Sequence, residues 1–112
     1  AYDSTCAITG LRLINGGGRA EVEAAHIKPV QSNGPDLVRN GLALSGTVHW
    51  MFDRGLISLS DEADILISRQ INDPGQILGL INNSRKAEFP QNPQLRPHPP
   101  YLSWHRDNCF KH

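Results

Sequence analysis

Three short stretches confine what this chain can fold into: Glu23-Ala24-Ala25-His26-Ile27-Lys28-Pro29, Arg39-Asn40-Gly41-Leu42 and His49-Trp50-Met51-Phe52-Asp53-Arg54-Gly55. Breakers fence each of them. Pro29 closes the first, because it has no N–H to give a strand ladder. Gly34-Pro35 interrupts the chain before the second. Gly55 is placed to stop the third as a helix. Only short elements fit between these stops, and the pattern of each piece says which. Glu21 to Ile27 alternates as a strand does: Val22, Ala24 and His26 fall on one face, Glu21, Glu23 and Ala25 on the other. Val38 to Leu44 forms a second strand, with Asn40-Gly41 as a bend or bulge at its start. Ser45 suits a helix N-cap. Thr47 to Arg54 reads as a short helix with Val48, Met51 and Phe52 as its buried stripe. His49 and Asp53, at i and i+4, share a face beside that stripe.

The flanking segments read as scaffold. Cys6-Ala7-Ile8-Thr9-Gly10 is a short apolar piece closed by glycine. Asn15-Gly16-Gly17-Gly18-Arg19 lacks the Gly-Lys-Ser/Thr ending of a phosphate cradle, so a flexible hairpin turn is expected. Leu56–Leu59 and Ile65–Ser68 look like two strands around a polar turn. Pro74 opens a helix through about Asn82, with Ile77, Leu80 and Ile81 as its apolar side. Phe89 to Pro100 is proline-rich and aperiodic, a strap or a linker. Tyr101 to Lys111 reads as a last helix, with Leu102, His105 and Cys109 at turn spacing.

At 112 residues the chain is long enough for one domain with a modest core. A mean hydropathy of −0.40 and 38% apolar residues fit a globular protein. No apolar run approaches the roughly 20 residues of a membrane span, and no signal peptide is present, so the expected setting is cytoplasmic and bacterial, with no membrane partner. The opening at Ala1 without Met suggests an excised domain or a processed fragment, and an N-terminal targeting domain in the full-length protein is a candidate partner. Eleven basic residues balance eleven acidic ones. That argues against a large DNA-wrapping surface and leaves room for a local basic patch. Cys6 and Cys109 lie near opposite ends and read as free thiols; there is no paired-cysteine zinc framework.

The order His, Asn, His, with an acid one turn beyond the second His, suits a single-metal phosphodiesterase. Such chemistry needs an activated water, charge stabilisation at phosphorus and help for the leaving oxygen. A neutral His serves as base near pH 7. His49 and Asp53 on one helix face can reach one ion, which would stabilise charge on the phosphate. Asn40 can bond backbone groups across the strand-to-loop junction and hold His26 in register; a simple turn role is compatible with that.

These residues resemble the HNH endonucleases, in the branch running Ala-His-Ile-x-Pro, Asn-Gly-Leu-x-Leu and His-x-x-Phe-Asp-x-Gly. Here those are Ala25–Pro29, Asn40–Leu44 and His49–Gly55. The Cys6–Gly10 opening and the Trp104-His105-Arg106 ending are also similar to that branch. The resemblance implies an α+β fold: a ββα-metal core with an added β-hairpin and C-terminal helices. It implies a metal-dependent DNA endonuclease, often the cutting domain of a restriction-type protein. His26 would be the general base, Asn40 the structural Asn, and His49 a metal ligand with Asp53. The cofactor would be one divalent ion, Mg²⁺ or Mn²⁺, with Zn²⁺ or Ni²⁺ as alternatives. DNA is the expected partner, and a homodimer would allow both strands to be cut.

Lys28, Arg39 and Arg54 adjoin the motifs and read equally as phosphate contacts or solvated charges. His105 and Arg106 are further substrate-binding candidates, although a structural helix role suits His105 better. Trp50 and Trp104 read as packing or interface residues, and His98 as exposed. The resemblance has one departure. Many HNH enzymes carry a metal-binding Asp or His just before the base, where this chain has Ala25. Two other functions compete: a catalytically silent nucleic-acid-binding module of the same fold, and a structural zinc domain using Cys6, Cys109 and a terminal His. The intact His26 speaks against the first, the unpaired cysteines against the second.

Overall fold

The computed structural model describes the whole chain, Ala1 to His112. Its elements are strands β1 (Glu23–His26) and β2 (Gly41–Leu44), helix α1 (Gly46–Asp53), strands β3 (Ile57–Leu59) and β4 (Ile65–Ile67), and helices α2 (Pro74–Leu78) and α3 (Pro99–Asn108). β1 pairs antiparallel with β2, setting Glu23 opposite Leu44, Ala25 opposite Leu42 and His26 opposite Gly41. β3 and β4 form a second antiparallel pair, Ile57 opposite Ile67. This is the expected ββα unit with an added hairpin and C-terminal helices.

Alternation along β1 and β2 decides the layering. Ala25, Leu42 and Leu44 are buried and face the same core as Val48, Met51 and Phe52 of α1. Cys6, Ala7 and Ile8 join that core, and the Ala7 N–H donates to the Ala43 carbonyl at 2.9 Å, docking the N-terminal segment on β2. Cys6 is thus a core residue. The glycine-rich segment is a hairpin turn, with Asn15 N–H bonded to Arg19 O at 3.0 Å.

Several elements differ from expectation. Ser45 occupies the N-cap of α1, but its side chain makes no capping bond. Glu21 does that work instead: its carboxylate accepts the Gly46 N–H at 2.8 Å, a favourable place for a negative charge. Asn40 ends a 3-10 turn, Val38–Asn40, so β2 begins only at Gly41. Helix α2 stops at Leu78, and Leu80 lies outside it at 46% exposure. Asn82 explains the early stop. Its N–H donates to Ile8 O at 2.8 Å and its side-chain amide to Ala7 O at 3.0 Å and Lys86 O at 2.8 Å. The chain is drawn onto the N-terminal segment before another helical turn can form. The proline-rich stretch is an ordered strap: Arg96 donates to Pro90 O at 2.7 Å, and His98 N–H to Arg39 O at 2.8 Å. His98 is half-buried, packed edge-on against Tyr101, rather than exposed.

Gly55 ends α1 in the left-handed region at φ +72°, and a Cβ there would stand 2.0 Å from the Cys109 carbonyl oxygen. Both constraints select glycine. The close approach lets the chain after α3 lie against the end of α1, where Lys111 N–H meets Gly55 O at 2.8 Å.

Candidate active site

The candidate site is built at the end of β1 and along α1. His26 is the last residue of β1, and the loop from Ile27 to Leu37 leaves from it. That loop is clamped by Asn40, whose side chain is fully buried. The Asn40 side-chain oxygen Oδ1 accepts the Lys28 N–H at 2.9 Å. Its amide donates to Lys28 O at 2.9 Å and to Pro35 O at 2.8 Å. All three bonds hold the loop that follows His26. Gly34 tightens the same loop, since a Cβ there would fall 1.7 Å from Lys28 O.

His26 Nε2 lies 3.1 Å from Asp36 Oδ1. Asp36, on the clamped loop, can only accept a hydrogen bond from that nitrogen when ionised, and Nδ1 has no protein partner. On α1, His49 Nε2 lies 3.1 Å from Asp53 Oδ2, the i,i+4 pair read from the sequence. The other ring nitrogen, Nδ1, lies 3.2 Å from Glu23 Oε1 on β1. His49 is therefore flanked by a carboxylate on each side. Glu23 and Asp36 escaped the sequence reading because both contacts are set by tertiary register and loop path. The one local signal is that Glu23 shares the Ala25 face of β1, the face that meets α1.

His26, His49 and Asp53 line one open cleft of about 1040 Å³, with Trp104, Asn108 and Cys109 on its α3 side. No group of three His, Cys, Asp or Glu side chains converges as a ready cation cage. His49 Nε2 and Asp53 nonetheless form a nitrogen–carboxylate pair, half-open to solvent. That donor set fits a divalent ion completed by water and phosphate oxygens.

The remaining candidates are placed differently. His105 is 2% exposed and stacks on Phe52 with ring centroids 3.9 Å apart. Its Nε2–H donates to Phe52 O at 2.9 Å, and its Nδ1 meets Ser58 Oγ at 2.7 Å. Burial holds its pKa below the ordinary histidine value, so the ring stays neutral and has no nitrogen to offer a ligand. Arg106 donates to Leu59 O at 2.8 Å and pairs with Asp61 at 3.0 Å. The substrate-binding expectation is corrected for both: they are scaffold. Arg39 Nε donates to Arg96 O at 3.0 Å and serves the strap. Arg54 stacks over Trp50 at 4.4 Å, and Trp50 itself is 52% exposed. Lys28 Nζ stands 5.9 Å over the Trp104 ring at the cleft. Ala25, opposite Leu42, faces the core and not the cleft. Cys6 and Cys109 are both free thiols; burial and the Asp53 charge push the Cys109 pKa up.

A family model described as HNH endonuclease matches residues 6–60. That segment belongs to the HNH endonuclease family. The match takes in β1, β2, α1 and β3 and ends before β4. Among solved structures, a modification-dependent TagI restriction endonuclease shares the fold with a TM-score of 0.71. Its sequence identity is 20%, over 95% of this chain and 33% of that one. The likeness is thus one of fold, it extends past residue 60 into the C-terminal helices, and the chain spans about a third of that protein's length. No curated protein matches the chain.

Proposed function

We propose that this HNH chain hydrolyses phosphodiester bonds in DNA, with His26 as general base and His49 and Asp53 holding one divalent cation. One observation supports the proposal most: His26 lines the cleft with Nε2 3.1 Å from Asp36 Oδ1 and no protein partner on Nδ1. A neutral imidazole with its proton on Nε2 presents the Nδ1 lone pair to a water. Asp36 stabilises the imidazolium that forms when His26 takes the proton, and Asn40 keeps the loop carrying Asp36 in place. The cation, when bound, stabilises charge on the phosphate and on the departing 3′ oxygen. Lys28, whose ammonium stands over the cleft-lining Trp104 ring, supplies positive charge for phosphate contacts, and Arg54 follows Asp53 in the chain as a second basic residue for the same use. Mg²⁺ or Mn²⁺ suits a nitrogen–carboxylate pair completed by oxygen ligands.

The greater length of the TagI protein supports a second proposal, that a targeting domain outside these residues selects the cutting site. One cleft cuts one strand, so double-strand cleavage would require two copies or two sequential nicks.

The test is plasmid nicking in Mg²⁺ or Mn²⁺ by the parent protein and by His26→Ala. Loss of a positioned base costs about 10²–10⁴-fold in rate, while DNA and metal binding should stay near parental. A parent that binds DNA but never nicks it would favour the silent binding module. Near-parental nicking by His26→Ala would remove His26 from the chemistry.

A further inference from the structure

We infer that Glu23 is a positioning residue for the cation site: it accepts a hydrogen bond from Nδ1–H of His49 and so leaves the Nε2 lone pair facing Asp53. This rests on the assignment of His49 and Asp53 as the cation ligands, and extends it to a residue on a different element. The geometry is specific. Glu23 Oε1 lies 3.2 Å from Nδ1, and Asp53 Oδ2 lies 3.1 Å from Nε2 of the same ring. Only one of these nitrogens can hold the proton of a neutral imidazole. A cation bound between Nε2 and Asp53 needs the Nε2 lone pair, so the proton must sit on Nδ1, and Glu23 is its acceptor there. Ring orientation follows as well. β1 fixes Glu23 through its register opposite Leu44, and α1 fixes His49 and Asp53 one turn apart. The imidazole is held from two elements before any ion arrives. Partners of this kind contribute to metal affinity without touching the metal.

The fold tolerates the change. Glu23 is exposed, and its side chain makes no hydrogen bond or ion pair other than that with His49. Titration calorimetry with Mn²⁺ alone should be run on the parent, Glu23→Ala, Glu23→Gln and His49→Ala, each checked by thermal melting. Glu23→Ala should bind Mn²⁺ about 10–100-fold more weakly than the parent while melting normally. Glu23→Gln keeps an acceptor oxygen for Nδ1–H and should recover most of that loss. In the Zn²⁺-loaded parent, the ¹⁵N spectrum of His49 should show a protonated Nδ1, and Glu23→Ala should lose its protection from exchange. Parental Mn²⁺ affinity in Glu23→Ala, with binding lost in His49→Ala, would overturn the positioning role and leave the cation site standing. Parental affinity in His49→Ala would instead remove the cation site itself. A Gln variant as weak as the Ala variant would overturn the hydrogen-bond account.

Discussion

Replacing Asn40 with Ala tests how the site is held together. The side chain is fully buried, and its removal strands three backbone groups: the Lys28 N–H, the Lys28 carbonyl and the Pro35 carbonyl. Each buried polar group left unpaired costs about 1–3 kcal/mol. Water entering the vacated space at the cleft edge will recover part of this, so the low end applies, about 3 kcal/mol in all. A domain of this length is stable by roughly 6–17 kcal/mol, so the variant should fold and show a clearly lowered denaturation midpoint. Asn40→Asp sharpens the test. It keeps the shape and the acceptor for Lys28 N–H, but it turns a carboxylate oxygen toward two carbonyls where the amide donated. The charged form is opposed, which raises the folded pKa of the new Asp above its unfolded value. Its penalty is then fully present above the folded pKa and shrinks as pH falls toward about 3.9, where a protonated carboxyl can donate again. Urea melts of parent, Ala and Asp variants at pH 7 and pH 4.5 measure both effects. An Ala variant within about 1 kcal/mol of the parent, below even one stranded group at mid-range cost, would refute the bracing role. A deficit in Asn40→Asp that does not change with pH would refute the bond assignment.

Two further substitutions probe the same layer. Ala25→Asp, which would restore the acid that many HNH enzymes carry before the base, should fail as a metal ligand here. Ala25 is 2% exposed among core side chains, so thermal melting should show a loss of several kcal/mol and Mn²⁺ calorimetry no tighter binding; a normally melting variant with higher affinity would contradict the burial. Gly34→Ala should loosen the loop after His26, because its Cβ would collide with Lys28 O; the expected results are a lower melting temperature and reduced nicking, and parental values for both would show that the loop path is not required.

The parts legible in the sequence were those that a local rule controls. Val48, Met51 and Phe52 are buried because helical spacing puts them on one face. His49 and Asp53 meet because i and i+4 are neighbours on any helix. Asn40 could be read as a brace because an amide that both donates and accepts is suited to a junction where a strand ladder gives way to a loop. The parts that stayed hidden depend on register and chain path. Glu21, Glu23 and Asp36 looked like ordinary surface acids, and nothing local says which N–H or imidazole each will meet. His105 misled in the opposite direction. Its neighbours Trp104 and Arg106 suggest an exposed cationic patch, yet α3 turns the ring inward, where a partner for each nitrogen decides its fate. α2 was overrun because apolar spacing continued past Gly79, while the competing Asn82 bonds to Ala7 and Ile8 come from the far end of the chain.

His105 also explains why the fold does not end where the family match does. The last carbonyls of any helix lack intrahelical partners, and α1 is only eight residues long. Phe52 O, one residue before the ligand candidate Asp53, is bonded by His105 Nε2 at 2.9 Å from α3. The Cys109 thiol adds a contact to Asp53 O at 3.5 Å, and Lys111 N–H bonds Gly55 O at 2.8 Å. Three residues near the C-terminus thus secure the end of α1 that carries Asp53, and Gly55 is the residue whose missing side chain lets them approach. The N-terminal side of the site is secured independently, by Asn40 on the loop and by Glu21 on the first N–H of α1. A truncation after Ser60 would keep His26, Asn40, His49 and Asp53 yet remove the His105 bond to Phe52 O, leaving that carbonyl only the local turn N–H of Gly55 at 3.2 Å, and would strip the stacked imidazole from the Phe52 ring. The motif residues therefore supply the chemistry, while α3 fixes the position of one of the two candidate ligands.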